Sequence, residues 1–211
     1  MTLTLDRAEV LRYMGHAGGD AAIEAVAQRA MDRMASLAQP RWRWVVCAPR
    51  ALPLSGGDIR RHLDGCDRVA VLCATLGAAV DRELRRTAYR SMLDALALDA
   101  AAGDAIEKVC DAAEDEIRLH FGREGCFVTG RFSPGYGDLP IDIQRDLLAL
   151  CDAPRRIGLS ATPSHLLTPG KSVTALLGIS PHPVAGRGRG CGTCRLSADC
   201  PYRKRGTHCG A

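Results

Sequence analysis

The sequence predicts an α+β protein in which an antiparallel or mixed twisted sheet packs against helices. Residues 68–75 form a continuous apolar run of strand length, as expected for a strand buried on both faces. Residues 91–120 carry the longest helical pattern, with apolar side chains three or four positions apart. Residues 156–160, 165–168 and 171–178 have the composition of strands with short connections, and two consecutive strands connected in this way are expected to pair antiparallel.

The N-terminal half alternates between helical and strand-like patterns. Asp20 is expected to cap a helix over residues 21–38, and Pro40 ends that helix. The elements predicted after it are a strand at 41–47, a short helix at 59–63, the buried strand at 68–75 and a helix at 78–89.

The C-terminal half begins with a short predicted strand at residues 126–129. Asp142 is expected to cap a helix that extends to Cys151. Further strands are predicted at 156–160, 165–168 and 171–178.

Three regions follow from this pattern. Residues 1–180 are predicted to form the α+β domain. Residues 181–190 contain prolines and alternating Gly and Arg, which is typical of a flexible linker. Residues 191–211 form a Cys-rich tail.

The composition is that of an ordinary globular protein, with 46% hydrophobic and 25% charged residues. The formal net charge of +4 is unevenly placed, because residues 187–211 carry +5 and residues 1–186 carry −1. The main body is therefore not a basic surface of the kind that binds nucleic acid, and we do not expect a nucleic-acid partner.

The N-terminal segment does not have the pattern of a signal peptide. Asp6, Arg7, Glu9 and Arg12 lie where a signal peptide needs an apolar segment. No apolar run approaches the length of about 20 residues that a membrane span requires, so we expect a cytoplasmic protein with no membrane partner. Ten cysteines in that compartment indicate reduced thiols and metal ligands rather than a disulfide framework.

Four cysteines of the tail have the spacing of metal ligands. Cys191 and Cys194 are separated by two residues, and Cys200 and Cys209 follow. Four thiolates suit tetrahedral zinc or an iron–sulfur cluster, and the spacing does not decide between these two cofactors. The alternative is a basic tail with free thiols.

The least regular stretch of the domain is residues 131–140. Pro134-Gly135 is a strong turn signal, and Gly137 also permits positive φ. A rigid loop between packed elements is a natural place for a ligand. This loop offers a guanidinium, a phenol and several backbone N–H groups without a regular partner.

The loop and a second motif together resemble the activation domain of cobalamin-dependent methionine synthase. Residues 131–136 match that family's Arg-x-x-Pro-Gly-Tyr loop, and residues 169–174 match its Pro-Gly-x-Ser-Val-Ser/Thr strand. Residues 72–82 resemble a Leu-x-Ala-Thr-Leu-Gly-x-x-Val-Asp-Arg stretch of free-standing members, in which the domain is a separate subunit. By order of elements the resemblance covers residues 10–180.

The resemblance implies an S-adenosylmethionine-binding subunit of a methyltransferase system that is inactive alone. It would support reductive methylation of the cobalamin carried by a partner methionine synthase or related corrinoid protein. A flavodoxin or ferredoxin is the reductant that the resemblance suggests.

The resemblance also implies roles for individual residues. Arg131 would bind the ligand's carboxylate in a bidentate pair; the alternative is a surface or salt-bridged arginine. Tyr136 would place its ring against the sulfonium or the adenine; the alternative is a turn tyrosine that packs its own loop. Pro134, Gly135 and Gly137 would shape the loop.

Three further residues complete the predicted site. Glu114, on the long helix, would face the ligand's ammonium or sulfonium; the alternative is a solvated helix glutamate. Ser172 and Thr174 would share one face of a strand by alternation, where they would line the pocket or satisfy local hydrogen bonds.

Other functions stay open at the level of sequence. A redox or corrinoid-activating protein would use an iron–sulfur cluster in the tail. A retained fold with an altered ligand is a second alternative, because the tyrosine that follows the family's second motif is absent here. A nucleic-acid-binding module built on the basic tail is the third, and it is the one least favoured by the residues.

Overall fold

The structure is a computed structural model that describes residues 3–16 and 18–184. Its centre is a four-stranded sheet in the order β1-β2-β6-β3, and every neighbouring pair is antiparallel. The strands are β1 (Arg41–Cys47), β2 (Arg68–Thr75), β3 (Phe127–Val128) and β6 (Ser172–Ser180). The predicted α+β class with an antiparallel sheet is confirmed.

The central strand β2 is buried at every position after its first residue. Its side chains alternate between the two faces of the sheet. Ala70 and Leu72 pack towards the long helix, whereas Val71 and Cys73 pack in the opposite core. The prediction of a strand buried on both faces is therefore correct, and the molecule has helices on both sides of its sheet.

Four helices cover the first face: α1 (Arg7–Tyr13), α2 (Ala21–Leu37), α4 (Ala78–Ala88) and α5 (Met92–Gly122). The helix α5 has 31 residues, and alanines fill much of its buried surface. Small side chains let α1, α2 and α4 approach α5 closely, and these helices share one apolar core with Ala74 and Val173 of the sheet.

The second face is covered by α3 (Gly57–Leu63), α6 (Gln144–Leu150), α7 (Ala153–Arg156) and a hairpin of β4 (Ser160–Ala161) and β5 (Leu167–Thr168). Ile59, Leu147 and Leu176 belong to the core between these elements and the sheet. No helix among the described residues is both long enough and apolar enough to cross a bilayer.

Several predicted boundaries are wrong around α6. Asp142 does not cap a helix, because it lies inside a 3₁₀ turn, Ile141–Ile143, and α6 begins only at Gln144. Tighter turns of this kind are common at helix starts. Of the strand predicted at 156–160, only Ser160 is extended, because α7 occupies residues 153–156.

Helix α1 has no counterpart in the sequence prediction. The Asp6 carboxylate accepts hydrogen bonds from the backbone N–H groups of Ala8 and Glu9, which caps the helix. The backbone N–H of Asp6 donates to the Asp104 carboxylate of α5 at 2.7 Å. This tertiary contact fixes a helix of only 7 residues, which is too short to be stable on its own.

The predicted division of the chain is only partly within the described residues. Strand β6 ends at Ser180, where the α+β domain is predicted to end. Most of the predicted linker, 181–190, and all of the Cys-rich tail, 191–211, lie outside the described residues. Both assignments stay predictions.

Candidate functional site

The loop at residues 131–140 begins against the sheet. Phe132 exchanges two backbone hydrogen bonds with Leu176 of β6, each of 2.9 Å. The chain then turns: Tyr136 N donates to Ser133 O at 3.1 Å, and Gly135 N donates to Leu139 O at 2.9 Å. Gly135 has a φ of 81°, a conformation that a side chain disfavours. The backbone of the predicted ligand loop is therefore fixed by its own hydrogen bonds.

The second half of the loop is attached to α3. The Asp138 carboxylate accepts hydrogen bonds from Gly57 N at 2.5 Å and Asp58 N at 3.0 Å. Loss of solvent around Asp138 opposes ionisation, but these backbone N–H groups outweigh it and hold the pKa of Asp138 below its usual value. Asp138 thus stabilises the start of α3 rather than the turn that contains it.

Gly137 is required where the loop meets α3. Its φ is 58°, and a Cβ at this position would lie 2.5 Å from the Asp58 Oδ2 atom. A side chain would therefore have to displace the carboxylate of Asp58 as well as adopt a left-handed backbone.

Arg131 lies under the loop and points to α5. Its side chain is 3% exposed, and it forms ion pairs with three carboxylates of that helix. Nη2 lies 3.0 Å from Glu107 Oε2 and 2.7 Å from Asp111 Oδ1, and Nη1 lies 3.1 Å from Glu114 Oε2. The structure therefore brings Arg131 and Glu114 together, as the predicted site requires, and it shows Arg131 as a salt-bridged arginine.

One atom of the Arg131 guanidinium is incompletely satisfied. Nη1 is buried and has no hydrogen-bond partner, although it lies 3.1 Å from Glu114 Oε2. A buried N–H group that makes no hydrogen bond costs free energy. Nη1 is therefore ion-paired with Glu114 and retains the capacity to donate a hydrogen bond to a further acceptor.

Glu114 bridges two arginines. Its Oε1 accepts from Nε and Nη2 of Arg118 at 3.0 and 2.6 Å, while its Oε2 faces Arg131. Arg118 also donates to the carbonyl oxygens of Val128 and Thr129 at 2.5 and 2.8 Å. Glu114 is therefore part of an ion-pair network and is not a solvated helix glutamate.

The predicted site includes Glu114 of this helix but not Glu107, Asp111 or Arg118. The four residues are spaced three or four positions apart on α5, so they form one helix face. That spacing is visible in the sequence and could have identified this face as an ionic surface. We call Glu107, Asp111, Glu114 and Arg118 the ionic face of α5.

The ionic face retains exposed negative charge. The side chains of Asp111 and Glu107 are 55% and 37% exposed, compared with 16% for Glu114. With Arg131 included, the network contains three carboxylates and two guanidinium groups, so its own formal charge is −1. A cationic ligand group would be attracted to this surface.

Tyr136 stands at the tip of the loop and is 59% exposed. Its ring meets the Phe132 ring edge to face, with centroids 5.8 Å apart and an interplanar angle of 88°. Phe132 in turn contacts the His62 ring at 5.1 Å. Tyr136 therefore has an accessible ring that is supported by Phe132. No pattern in the sequence singles out Phe132 or His62 as neighbours of this tyrosine.

Ser172 and Thr174 lie on the other side of the sheet from the ionic face. The Ser172 hydroxyl donates to Thr75 Oγ1 at 2.8 Å, and the Thr174 hydroxyl donates to Gln144 Oε1 of α6 at 3.3 Å. Thr174 is 2% exposed. The structure does not bring Thr174 together with Arg131, and both hydroxyls satisfy local hydrogen bonds. Their assignment as ligand residues stays a prediction.

A cavity adjoins the ionic face at β3. It has a volume of about 330 Å³. Arg118 belongs both to this cavity and to the ionic face, so the cavity begins beside the network around Arg131. The lining residues are Arg118, Cys126, Phe127, Val128, Pro183 and Val184.

Within residues 3–16 and 18–184, no group of three or more His, Cys, Asp or Glu side chains is placed to hold a metal ion. The predicted metal ligands Cys191, Cys194, Cys200 and Cys209 lie outside the described residues. Zinc and an iron–sulfur cluster therefore stay predictions.

Sheet order, helices on both faces and the position of the loop define an α+β domain in which the loop at residues 131–140 lies beside the ionic face of a long helix. The sequence matches no protein-family model and no curated protein. Among solved structures, the chain is similar to one described as the crystal structure of the MetH reactivation domain bound to AdoHcy. The TM-score is 0.61 at 15% sequence identity, over 98% of this chain and 82% of that chain.

At 15% sequence identity, this similarity shows that the two proteins share a fold. The chain therefore has the fold of the MetH reactivation domain, as the resemblance in its two motifs implied.

Proposed function

We propose that this chain binds S-adenosylmethionine and supports the reductive methylation of cobalamin carried by a partner protein. The observation that carries the proposal is the position of the Arg131 loop against the ionic face of α5, in a fold that a reactivation domain shares. The solved structure of that fold is described as bound to AdoHcy, and this motivates the choice of ligand.

The charges around Arg131 suit a ligand that carries both signs. The unsatisfied Nη1 of Arg131 would donate to the ligand's carboxylate. The exposed carboxylates of Asp111 and Glu107 would face the ammonium or the sulfonium. A bidentate ligand carboxylate would also take Nη2 from Asp111, the most exposed partner of Arg131, and this would free Asp111 to face the cation.

The loop supplies shape and an aromatic surface. Gly135 and Gly137 hold the left-handed turns that place Tyr136 at the tip. The exposed face of Tyr136 is suited to contact the sulfonium or the adenine, since a cation over an aromatic ring is attracted to it. Pro134 restricts the loop before it turns.

The chemistry of methyl transfer belongs to the bound groups. S-adenosylmethionine would supply the methyl group that the reduced cobalt takes up, with S-adenosylhomocysteine as the leaving group, after a flavodoxin or ferredoxin has delivered the electron. The residues of this chain bind the methyl donor, orient it and balance its charge. We accordingly expect no turnover from the chain alone.

The partner is a cobalamin-dependent methionine synthase or a related corrinoid protein. A direct assay combines the full chain, S-adenosylmethionine, a reductant and a cobalamin-loaded methionine synthase from the same organism that has been allowed to oxidise to cobalt(II). We expect the absorption spectrum of methylcobalamin to develop only when the chain and S-adenosylmethionine are both present. Equal methylation without the chain would contradict the proposal.

A second candidate function rests on the spacing of the tail cysteines. If Cys191, Cys194, Cys200 and Cys209 hold an iron–sulfur cluster, the chain would itself pass electrons to the corrinoid. A brown protein with bound iron and sulfide would favour this function. A colourless protein with one zinc ion per chain would exclude it and leave the tail a structural role.

A further inference from the structure

Two buried cysteines meet on the α6 side of the sheet. Cys73 belongs to β2 and Cys151 directly follows α6, and both are 0% exposed. The Cys151 Sγ lies 3.5 Å from Val71 O of β2, and the Cys73 Sγ lies 3.9 Å from Leu147 O of α6. Each thiol thus donates to a carbonyl oxygen of the other's element, which makes the two side chains neighbours in one apolar core.

A cation with an unsatisfied N–H group lies beside this pair. Arg43 of β1 is directly opposite Cys73 in the sheet register, so both side chains project from the same face. The Nε of Arg43 is buried and has no hydrogen-bond partner. A buried guanidinium N–H needs an anion or an acceptor, and the Cys151 thiol interacts with Arg43.

The pKa values of the two thiols are shifted in opposite directions. The neighbouring Cys73 thiol and, against the effect of burial, the Arg43 guanidinium hold the pKa of Cys151 below its ordinary value. Contact with Cys151 and burial raise the pKa of Cys73. Cys151 is therefore the more acidic member of the pair and the better candidate for the attacking sulfur.

We propose that Cys73 and Cys151 form a redox-active dithiol that a small peroxide converts to a disulfide, with Cys151 as the attacking sulfur. The geometry that carries this proposal is the approach of each sulfur to a carbonyl of the other's element, on the face of the sheet where Arg43 Nε is unsatisfied. Both sulfurs are buried, so the oxidant must be as small as hydrogen peroxide.

The reaction proceeds in two displacements. The Cys151 thiolate attacks one peroxide oxygen, the O–O bond breaks, and hydroxide leaves from a sulfenic acid. The Cys73 sulfur then attacks the Cys151 sulfur, its proton passes to the departing oxygen, and the S–O bond breaks to release water. Counting the proton that Cys151 loses on ionisation, the dithiol loses two hydrogens and the peroxide becomes two waters.

The bond would connect the central strand to the end of α6. Helix α6 follows the ligand loop at residues 131–140 closely in the chain, and its Gln144 contacts Thr174 of β6. Oxidation would therefore fix the segment after the loop to the sheet. This inference does not depend on the ligand of the Arg131 loop, because its residues lie on the opposite face of the sheet from the ionic face.

The test uses the full reduced chain treated with hydrogen peroxide under native conditions, followed by denaturation, alkylation and peptide mapping by mass spectrometry. We expect a disulfide-linked peptide pair that contains Cys73 and Cys151, and its disappearance after treatment with dithiothreitol. Peptide mapping assigns every cysteine separately, so oxidation of the tail thiols does not obscure the result.

Variants identify the role of each residue. Cys73→Ser should leave Cys151 as a sulfenic acid that dimedone captures, whereas Cys151→Ser should leave Cys73 reduced. Arg43→Gln should slow formation of the disulfide about tenfold, since less thiolate is present. Cys126→Ser is the matched control, because Cys126 is partly exposed at a distance in the fold, beside Arg68, and its loss should leave the rate unchanged.

Two results would overturn the proposal. Oxidation of Cys126 while Cys73 and Cys151 stay reduced would show that exposure alone decides which thiol reacts. A disulfide between Cys47 and Cys151, in place of the expected pair, would show that the partly buried Cys47 is the true partner. Peptide mapping of the unsubstituted chain identifies the cysteines that form the disulfide, even if a serine variant fails to fold.

Discussion

The Nη1 atom of Arg131 lies 3.1 Å from Glu114 Oε2, within a guanidinium that is 3% exposed. A loop that the sequence marks as a ligand site is thereby connected to the middle of the longest helix. We expect the ion pair between Arg131 and Glu114 to affect both the unfolding free energy of the domain and its affinity for a ligand. Separate experiments measure these two effects.

Arg131→Ala is expected to keep the fold, lose about 2 kcal/mol of unfolding free energy and abolish binding of S-adenosylmethionine. The stability loss arises because three carboxylates lose their shared cation. Urea unfolding and calorimetry measure the two effects. Arg33→Ala is the control, since the Arg33–Glu83 pair is a surface ion pair worth less than about 1 kcal/mol. Unchanged ligand affinity in the Arg131 variant would contradict the proposed site.

Tyr136→Ala is expected to weaken S-adenosylmethionine binding about tenfold, because the ring that faces the ligand is removed. Its stability should change little, since Tyr136 is 59% exposed. Tyr89→Ala is the matched control, because Tyr89 is 93% exposed at the end of α4. If both variants bind as the unsubstituted chain does, the loop tyrosine does not contact the ligand.

Gly137→Ala is expected to destabilise the domain by about 2 kcal/mol. The new Cβ requires a left-handed backbone and meets the Asp58 carboxylate. Gly122→Ala provides the comparison, because Gly122 ends α5 with no atom near its Cβ position and alanine favours a helix by up to about 1 kcal/mol. Thermal unfolding of both variants measures the difference. Equal stability of the two would show that the loop adjusts freely at residue 137.

Asp138→Asn is expected to cost stability at neutral pH and to cost progressively less in acid. The folded-state pKa of Asp138 lies below the unfolded value of about 3.9. A depressed pKa contributes stability that is present above the unfolded value and is lost as the pH falls through the folded value. Urea unfolding at pH 7 and pH 3 measures the gap between the two proteins. A gap of the same size at both pH values would contradict the role of this carboxylate at α3.

The strong periodic patterns predicted most of the sheet and the long helices. β1 and β2 have the predicted bounds, and α5 differs from its predicted range by two residues or fewer at each end, because their apolar patterns match the burial that tertiary structure gives them. The start of α6 and the helix α1 depended on a 3₁₀ turn and on the distant Asp6–Asp104 contact. Local sequence does not specify the 3₁₀ turn, and for α1 it offers only the Asp6 cap, which does not make a helix of 7 residues stable without the tertiary contact.

The candidate site was predictable in part. The irregular composition of residues 131–140 correctly indicated a fixed loop. The ion pairs of Arg131 were not predictable, because they depend on the pairing of Phe132 with Leu176, which sets the loop against the sheet beside α5. Alternation correctly placed Ser172 and Thr174 on one face, but only the packing of α6 shows that this face is opposite the ionic face.

The most direct test of the central claim is isothermal titration of the reduced full chain with S-adenosylmethionine, with S-adenosylhomocysteine as a competitor. We expect saturable binding at one site per chain, displaced by the competitor and lost in Arg131→Ala. The account is contradicted if the folded chain shows neither binding heat nor a ligand-induced rise in unfolding temperature at millimolar ligand.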